Sequence, residues 1–344
     1  MRADKRKGLW WQMPFLLLLI VGTIYVVRGG IGLPQTAQPG YQRNEGAVFG
    51  TIYHATYQHA TDLQPEIEAE LKKVDESLSM FNTESTISQI NQDKSHETDS
   101  LLRYIFALSE RVSEQTEGAF DITVAPLVNA WGFGYKNGVL PDSAQVDSLR
   151  ALVGWQMIHL EADTIRKERA GMVMDCSAIA KGFGCDVVAN MLRRKGIKNF
   201  MVEIGGEIVV EGKNDKGGAW RISVLKPVED STCVNQESQT VLQLTDCGMA
   251  TSGNYRNYHV DQNGQKRAHT IDPRSGYPVQ HSILSSTVIA PTCAEADAFA
   301  TAFMVMGLDK AKETLAKRSD LKAYLIYADT EGKMKTYVTP NMPE

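Results

Sequence analysis

The sequence predicts an α+β protein whose sheets are mostly antiparallel. Strand-like and helix-like segments are mixed along the chain without the strict strand–helix–strand alternation of a parallel sheet. No GxGxxG motif follows a first strand, so a Rossmann-type dinucleotide fold is disfavoured. Apolar residues make up 43% of the 344 positions and charged residues 22%, which excludes a disordered, collagenous or coiled-coil protein.

An apolar segment near the N-terminus has the length of a membrane span. Basic residues at positions 2 and 5–7 precede an apolar run from Leu9 to Val27. As a helix this run extends about 28 Å at roughly 1.5 Å per residue, close to a hydrocarbon core of about 30 Å. We predict that residues 1–28 are one transmembrane helix in the cell inner membrane, with the rest of the chain facing the periplasm. A cleaved signal peptide is the alternative, although no convincing cleavage site follows Val27.

The remainder of the chain is acidic and is predicted to form one catalytic domain. Beyond residue 28 it has 31 basic and 40 acidic side chains, a formal net charge of −9, which argues against a nucleic-acid partner. Residues 29–45 are rich in Gly, Pro, Gln and Thr and are predicted to be a linker. No clean break follows, so residues 46–344 are predicted as a single domain.

Helices are predicted where apolar residues recur every three or four positions, and strands where β-branched and aromatic residues cluster. Ile67, Leu71, Val74 and Leu78 show the helical spacing, and Gly118 is a natural helix stop. The predicted elements, in chain order, are a strand 48–57; helices from 62, 99–117 and 143–152; strands 157–160, 164–166 and 172–174; a helix 177–194; strands 202–210, 220–225, 241–244 and 282–289; helices 292–306 and 308–317; and a hairpin of strands 323–327 and 334–338.

Two glycine-containing segments have the composition of ligand-binding backbone. Asp175-Cys-Ser-Ala-Ile-Ala-Lys-Gly-Phe-Gly184 leads from a β segment into a helix, where Asp175 and Ser177 act either as caps alone or as part of an anion site at the helix N-terminus. Gly205 and Gly206 interrupt a strand pattern, which indicates either a bulge without a ligand or a close backbone approach to a cofactor.

Two further segments carry catalytic residue types. His269 precedes a turn at Asp272-Pro273 and is either structural or part of a polar pocket with Arg256 and Asp272. Asp297 and Thr301 are four residues apart in a predicted helix, so they share one face. A carboxylate and a hydroxyl are hard oxygen ligands that suit Mg²⁺, and the alternative is an aspartate that accepts from a backbone amide.

These segments together resemble the ApbE family of FAD:protein FMN transferases. The resemblance runs from about Gly46 to Val338 with every motif in the family's order. The motifs are Gly50-Thr51, Gly118-Ala-Phe-Asp-Ile-Thr-Val-Ala-Pro-Leu127, Asp175-x-Ser-Ala-Ile-Ala-Lys-Gly182, Ile204-Gly-Gly-Glu207, Thr251-Ser-Gly-Asn-Tyr255, His269-x-Ile-Asp-Pro273 and Asp297-x-x-x-Thr301.

The resemblance implies a T-fold-like flavin transferase fold and a Mg²⁺-dependent reaction. FAD is then the substrate, FMN is joined through its phosphate to a threonine or serine hydroxyl of an exported acceptor protein, and AMP leaves. Acceptors of the family are subunits of sodium-pumping NADH:quinone reductases and related redox complexes. Two alternatives stay open: an FAD pyrophosphatase that releases FMN and AMP, and a flavin-binding module without catalysis.

The resemblance also assigns roles to individual residues. The family's Mg²⁺ ligands fall on Asp297, Thr301 and the backbone carbonyl of Ala178, and its candidate base falls on His269. Many relatives have a second acid where Ala300 stands. The flavin or adenine contacts fall on Phe49, Phe81, Ala119, Phe120, Asp121, Asp175, Lys181 and Ile271.

The chain has five cysteines, and the odd count predicts at least one free thiol or an intermolecular bond. Cys233 and Cys247 flank a predicted β excursion and are the candidate pair in an oxidising compartment. A zinc site is disfavoured because no CxxC or paired-histidine spacing occurs.

Overall fold

An eight-stranded antiparallel sheet lies at the centre of the computed structural model, which describes residues 39–133, 140–227, 237–253, 258–260, 266–280 and 282–343. Residues 258–260 and 266–268 are described by their backbone alone. The strand order is β1-β2-β5-β6-β9-β12-β13-β14. These strands are β1 (Tyr41–Val48), β2 (Thr51–Gln58), β5 (Phe200–Ile204), β6 (Glu207–Glu211), β9 (Cys247–Gly253), β12 (Ile283–Ala290), β13 (Lys322–Ala328) and β14 (Met334–Val338).

Three two-stranded antiparallel ribbons and eight α-helices complete the described part of the chain. The ribbons pair β3 (Ile158–Glu161) with β4 (Thr164–Lys167), β7 (Trp220–Leu225) with β8 (Ser238–Leu244), and β10 (Tyr258–Val260) with β11 (Lys266–Ala268). The helices are α1 (Gln64–Leu78), α2 (Thr86–Asn91), α3 (Ser100–Gln115), α4 (Ala125–Ala130), α5 (Ser143–Arg150), α6 (Ala180–Arg194), α7 (Cys293–Met306) and α8 (Leu308–Lys317).

The sheet is covered on both faces around β6, which explains why this strand is apolar without alternation. Val209 packs in the cluster that contains the α6 residues, whereas Ile208 and Val210 pack against the β7–β8 ribbon. Successive side chains of a strand point to opposite faces, so both faces of β6 are buried. Helix α7 is buried at every residue except Thr301. A carboxylate on such a helix, Asp297, therefore faces either a partner or a cavity.

One predicted strand begins later than expected and another is a hairpin. The strand predicted at 48–57 corresponds to β2 and begins only at Thr51, because Phe49 and Gly50, at φ of 49° and 73°, form the turn after β1. The strand predicted at 202–210 is split at Gly205 and Gly206, whose φ values are 58° and 103°. Positive φ at both central residues is the geometry of a two-residue hairpin turn. The glycine pair therefore forms a turn rather than a bulge.

Most other predicted elements are confirmed to within a few residues, including the helix predicted from 177, which begins at Ala180. Residues 172–174 form no strand. Strand β9 and the short helices α2 and α4 were not predicted, because their apolar runs are too short for a periodicity. Residues 41–45, included in the predicted linker, lie in β1 and pair with β2.

The predicted anchor at residues 1–28 lies outside the described residues. Among the residues that are described, no helix combines the length and apolar character that a membrane span requires. Cys233 and Arg256 also lie outside the described ranges, so the disulfide with Cys247 stays a prediction.

Candidate active site

A cavity of about 750 Å³ is bounded by the β5–β6 turn, the start of α6, β7, β9 and the middle of α7. Ten of the residues predicted for the site line it, although they come from widely separated parts of the chain. They are Ala119, Phe120, Asp121, Asp175, Ala178, Lys181, His269, Ile271, Asp297 and Thr301.

The two remaining predicted flavin contacts, Phe49 and Phe81, are not among the residues that line this cavity. The β1–β2 turn directs the Phe49 side chain at α6, where a Cβ on Gly184 would lie 2.8 Å from its ring. Phe81 is 79% exposed. Both positions were assigned from the resemblance alone, and the packing of the β1–β2 turn accounts for the first.

The predicted metal ligands lie together where α6 approaches α7. Asp297 is buried, and its Oδ2 accepts a hydrogen bond from the Gly182 amide at 3.1 Å. Thr301 follows one helical turn later, with its hydroxyl 3.1 Å from that of Ser252. Burial raises the pKa of the Asp297 carboxyl, while the Lys181 charge and the Gly182 hydrogen bond oppose the rise. The backbone-amide alternative is thus realised at one carboxylate oxygen, and the other oxygen stays available.

The carbonyl oxygen of Ala178 is also available to a ligand, because the Gly182 amide bonds to Asp297. The Gly182 amide, which in a regular helix bonds to the carbonyl four residues earlier, donates to Asp297 instead. No hydrogen bond to the Ala178 oxygen is formed within the part of the chain that the structure describes. No group of three or more His, Cys, Asp or Glu converges among the described residues. One carboxylate, one hydroxyl and one carbonyl fit Mg²⁺, which takes its other ligands from water and substrate phosphates.

An ion pair with a buried carboxylate lies beside these ligands. The Lys181 ammonium, on the first turn of α6, contacts Oε1 of Glu207 at the start of β6, and the lysine side chain is partly exposed. Glu207 is 3% exposed, and its Oε2 has no hydrogen-bond partner among the described residues. Burial lowers the pKa of Lys181, but the charges of Asp297 and Glu207 outweigh it and raise the pKa. Glu207 was not assigned a role from the sequence; the only signal was its place at the end of the Ile204–Glu207 motif.

Asp121 and Asp175 line the same cavity and shape the backbone around them. Asp121 Oδ1 accepts from the Thr123 amide and hydroxyl at 2.8 and 2.6 Å, and its Oδ2 accepts from the Trp155 amide at 2.9 Å. Asp175 accepts from the Ser177 amide at 2.7 Å. Burial raises the pKa of both carboxyls against these hydrogen bonds. Because α6 begins only at Ala180, Asp175 orders the turn before the helix rather than capping it.

His269 is held by the loop that follows β11. Its ring lies edge-on to Phe133, with 6.4 Å between ring centroids. The Val279 amide donates to the Thr270 carbonyl at 3.0 Å, which closes the loop behind it. Asp272 forms an ion pair with Arg274 at 2.8 Å and does not line the cavity. The pocket predicted around His269 therefore includes the histidine but not the Asp272 carboxylate.

Residues of the β5–β6 and β7–β8 hairpins form the remaining wall, which sequence reasoning did not foresee. Met201 and Glu203 lie on β5, and Arg221 and Ser223 lie on β7. The exposed positions of β7 alternate with its buried ones, so Arg221 and Ser223 lie on the face opposite the core. Such alternation is readable from the sequence, but which strand borders the cavity is not.

Comparison with known proteins gives a consistent result. The model of the ApbE family matches residues 49–325. The FAD:protein FMN transferase of Haemophilus influenzae is 40% identical over 304 residues, which cover 83% of this chain and 86% of the relative. That of Salmonella typhimurium is 32% identical over 347 residues, which cover 96% and 97%.

Two solved structures resemble the fold over most of its length. The flavin transferase ApbE from Vibrio cholerae matches with a TM-score of 0.78 at 34% identity, covering 87% of this chain and 97% of that chain. The apo form of the flavinyl transferase ApbE from Pseudomonas stutzeri matches with a TM-score of 0.77 at 29% identity, covering 89% and 96%.

Proposed function

Because the chain belongs to the ApbE family and is a transferase of the FAD:protein FMN transferase class, we propose that it joins FMN to a threonine or serine hydroxyl of an exported protein and releases AMP. The observation that carries the proposal is the convergence of His269, Lys181, Asp297 and Thr301 on one cavity. A carboxylate, a hydroxyl and an imidazole on one cavity are what a phosphoryl transfer from a dinucleotide needs.

The reaction breaks the bond between the FMN phosphorus and the oxygen of the AMP phosphate, and it forms a bond from that phosphorus to the acceptor oxygen. His269 takes the proton of the acceptor hydroxyl as the new bond forms. Lys181 places a cation beside the pyrophosphate, and the apolar wall around Phe120 and Ile271 excludes water from the flavin.

Asp297, Thr301 and the Ala178 carbonyl are proposed to hold Mg²⁺. When bound there, Mg²⁺ neutralises the charge that develops on the leaving phosphate. Asp297 supplies the one anionic ligand, and the Gly182 amide fixes the orientation of that carboxylate. Asp297→Ala should therefore lose Mg²⁺-dependent turnover, whereas activity of the wild-type chain that stays unchanged across a titration with Mg²⁺ and EDTA would contradict this assignment.

The acceptor and the location are also proposals. We expect the acceptor to be a subunit of a sodium-pumping NADH:quinone reductase or of a related redox complex. We expect the transfer to take place on the periplasmic side of the inner membrane. Residues 1–28 would anchor the chain there. An alkaline wash of membranes should leave the full chain in the pellet, and release into the supernatant would contradict an uncleaved anchor.

Mass spectrometry of a candidate acceptor peptide tests the transfer directly. Incubation with FAD, Mg²⁺ and the full chain should add the mass of FMN to a threonine or serine and release AMP in equal amount. Free FMN in place of the adduct would indicate a pyrophosphatase. Bound FAD without AMP would indicate a flavin-binding module.

A further inference from the structure

Helix α6 is tied to strand β6 by two ion pairs in very different surroundings. Arg193 near the end of the helix contacts Glu211 at 2.5 Å on the protein surface, where both side chains are partly exposed. Lys181 at the start of the helix contacts Glu207, which is buried and lines the cavity. Both pairs join α6 to β6, and only the inner pair lies at the cavity. The outer pair is therefore a matched control for an effect of the inner pair on the cavity.

Stability does not explain the inner pair. Removing the Glu207 carboxylate from water costs free energy that its attraction to the partly exposed lysine only partly returns. Among the described residues Oε2 of Glu207 also has no hydrogen-bond partner, a cost of about 1–3 kcal/mol. Two apolar residues of similar volume would serve the packing of α6 on β6 at least as well. The pair is therefore better explained by its effect on the neighbouring carboxylate.

That neighbour is Asp297, the second carboxylate that acts on the Lys181 charge. Lys181 directly precedes Gly182, whose amide donates to Asp297 Oδ2 at 3.1 Å. The lysine side chain thus starts beside Asp297, yet its ammonium is bonded to Glu207. An ammonium bound to Asp297 would occupy the carboxylate that the proposed metal site needs.

Resting on the proposed function, we propose that Glu207 is a positioning residue that holds the Lys181 ammonium away from Asp297 and so keeps this carboxylate open to a divalent cation. With Glu207 present, the lysine supplies a fixed positive charge at the cavity wall. Without that charge, Asp297 is the other carboxylate whose charge acts on the ammonium, and the attraction between the two draws the lysine side chain toward it. Lys181 then competes with the metal.

The experiment measures Mn²⁺ binding to the full chain by electron paramagnetic resonance of the free ion, without FAD or acceptor. Glu207→Gln keeps the shape of the side chain and removes its charge. We expect its Mn²⁺ affinity to fall by about tenfold, within the range typical for partners that orient metal ligands. Glu211→Gln, which breaks the outer pair between the same elements, should bind Mn²⁺ as the wild-type chain does.

A double variant separates competition by lysine from other effects. Lys181→Met/Glu207→Gln removes the competing ammonium and should recover the wild-type affinity, whereas Glu207→Asp should retain it within about twofold because it keeps the charge. Wild-type affinity in Glu207→Gln overturns the proposal. Equal weakening in the single and double variants also overturns it, since Glu207 would then act without Lys181.

Failure of the metal site itself has a different signature. If the wild-type chain and all variants bind no Mn²⁺, and transfer proceeds in EDTA, the proposed metal site fails and with it the role of Glu207. If the wild-type chain binds Mn²⁺ and Glu207→Gln does not change this, only the role of Glu207 fails. Thermal unfolding of each variant verifies its fold, and Glu207→Ala, which also removes the charge, takes the place of Glu207→Gln should the latter not fold.

Discussion

Asp186 is a buried carboxylate that joins two helices of the active-site wall. It lies on α6, and its two oxygens accept hydrogen bonds from the Cys293 and Ala294 amides at 2.9 and 2.8 Å. These amides belong to the first turn of α7, where backbone donors have no partner within the helix. Burial raises the pKa of Asp186 to about 6 despite both hydrogen bonds.

The raised pKa predicts a pH dependence of stability. The folded chain holds the Asp186 proton more tightly than the unfolded chain, so this stabilisation is present below about pH 4 and is lost as pH rises through about 6. A shift of this size corresponds to roughly 3 kcal/mol. In urea unfolding at several pH values, Asp186→Asn should show a smaller loss between pH 4 and 6 than the wild-type chain.

At pH 4 Asp186→Asn should be less stable by about 1–3 kcal/mol, because an amide offers one acceptor to two backbone donors, and this difference should shrink as the pH rises through 6. Other buried carboxyls titrate in both chains, so the difference between the two curves is the relevant quantity. Parallel curves would show that Asp186 does not titrate in this window.

His269 is predicted to act in transfer and not in binding. His269→Ala should bind FAD as the wild-type chain does, measured by quenching of flavin fluorescence, and lose transfer by about 10²–10⁴-fold. The matched control is His159→Ala, since His159 pairs with Glu168 on the β3–β4 ribbon and does not line the cavity. A wild-type rate of flavinylation in His269→Ala would refute the role of a base.

At the scale of elements, the contact between α6 and α7 sets the position of Asp297. A Cβ on Gly182 would lie 2.4 Å from the Cys293 carbonyl oxygen, and one on Gly248 would lie 2.3 Å from the Cys293 amide nitrogen. Glycine is needed at both positions because the neighbouring atoms belong to the backbone around Cys293, which cannot easily move aside. The start of α7 is thereby fixed against α6 on one side and β9 on the other.

Gly182→Ala is expected to reduce both stability and Mg²⁺-dependent turnover. The added methyl must push α7 away, at a cost of about 1–3 kcal/mol or more, and it moves Asp297 with the helix. Gly218→Ala is the control, because its nearest neighbour atom would be 3.9 Å away. Denaturant unfolding and a Mg²⁺ titration measure the two effects. Equal behaviour of the two variants would show that the contact can relax.

At the scale of the whole molecule, the site depends on the complete fold from Tyr41 onward, which forms one compact unit. Its residues lie between Ala119 and Thr301 in sequence and belong to helices, strands and loops on different sides of the cavity. A ligand that bridges these segments binds only the folded chain. Ligand binding must then shift the unfolding equilibrium of the whole unit.

FAD together with Mg²⁺ should raise the unfolding temperature of the full chain. At a ligand concentration 100 times the dissociation constant the gain is about 2.7 kcal/mol. Asp297→Asn should keep the part of the shift that FAD alone gives in EDTA and lose the part that Mg²⁺ adds. An unfolding temperature that FAD and Mg²⁺ leave unchanged in the wild-type chain would argue against binding in this cavity.

The sequence by itself determined the fold class, the order of most elements and most of the site. Helical spacing and β-rich runs predicted α1, α3, α8 and the β13–β14 hairpin, because those elements bury one clear set of apolar residues. Helix α7 was predicted as well, although it is buried on nearly all sides. The sequence did not determine the turns at Phe49-Gly50 and Gly205-Gly206, since an apolar strand broken by two residues keeps its composition on both sides. Ten of the predicted site residues line one cavity, and their roles stay predictions.

Only the tertiary structure decided which side chains meet. Glu207 and Asp297 are 90 positions apart in the sequence, and only the packing of β6, α6 and α7 places both within reach of the Lys181 charge. Phe49 packs against α6 and Phe81 lies at the surface, although both were expected to contact the flavin. Local spacing encodes which face of an element is apolar, whereas contacts between distant carboxylates and their shared cation depend on how those faces are stacked.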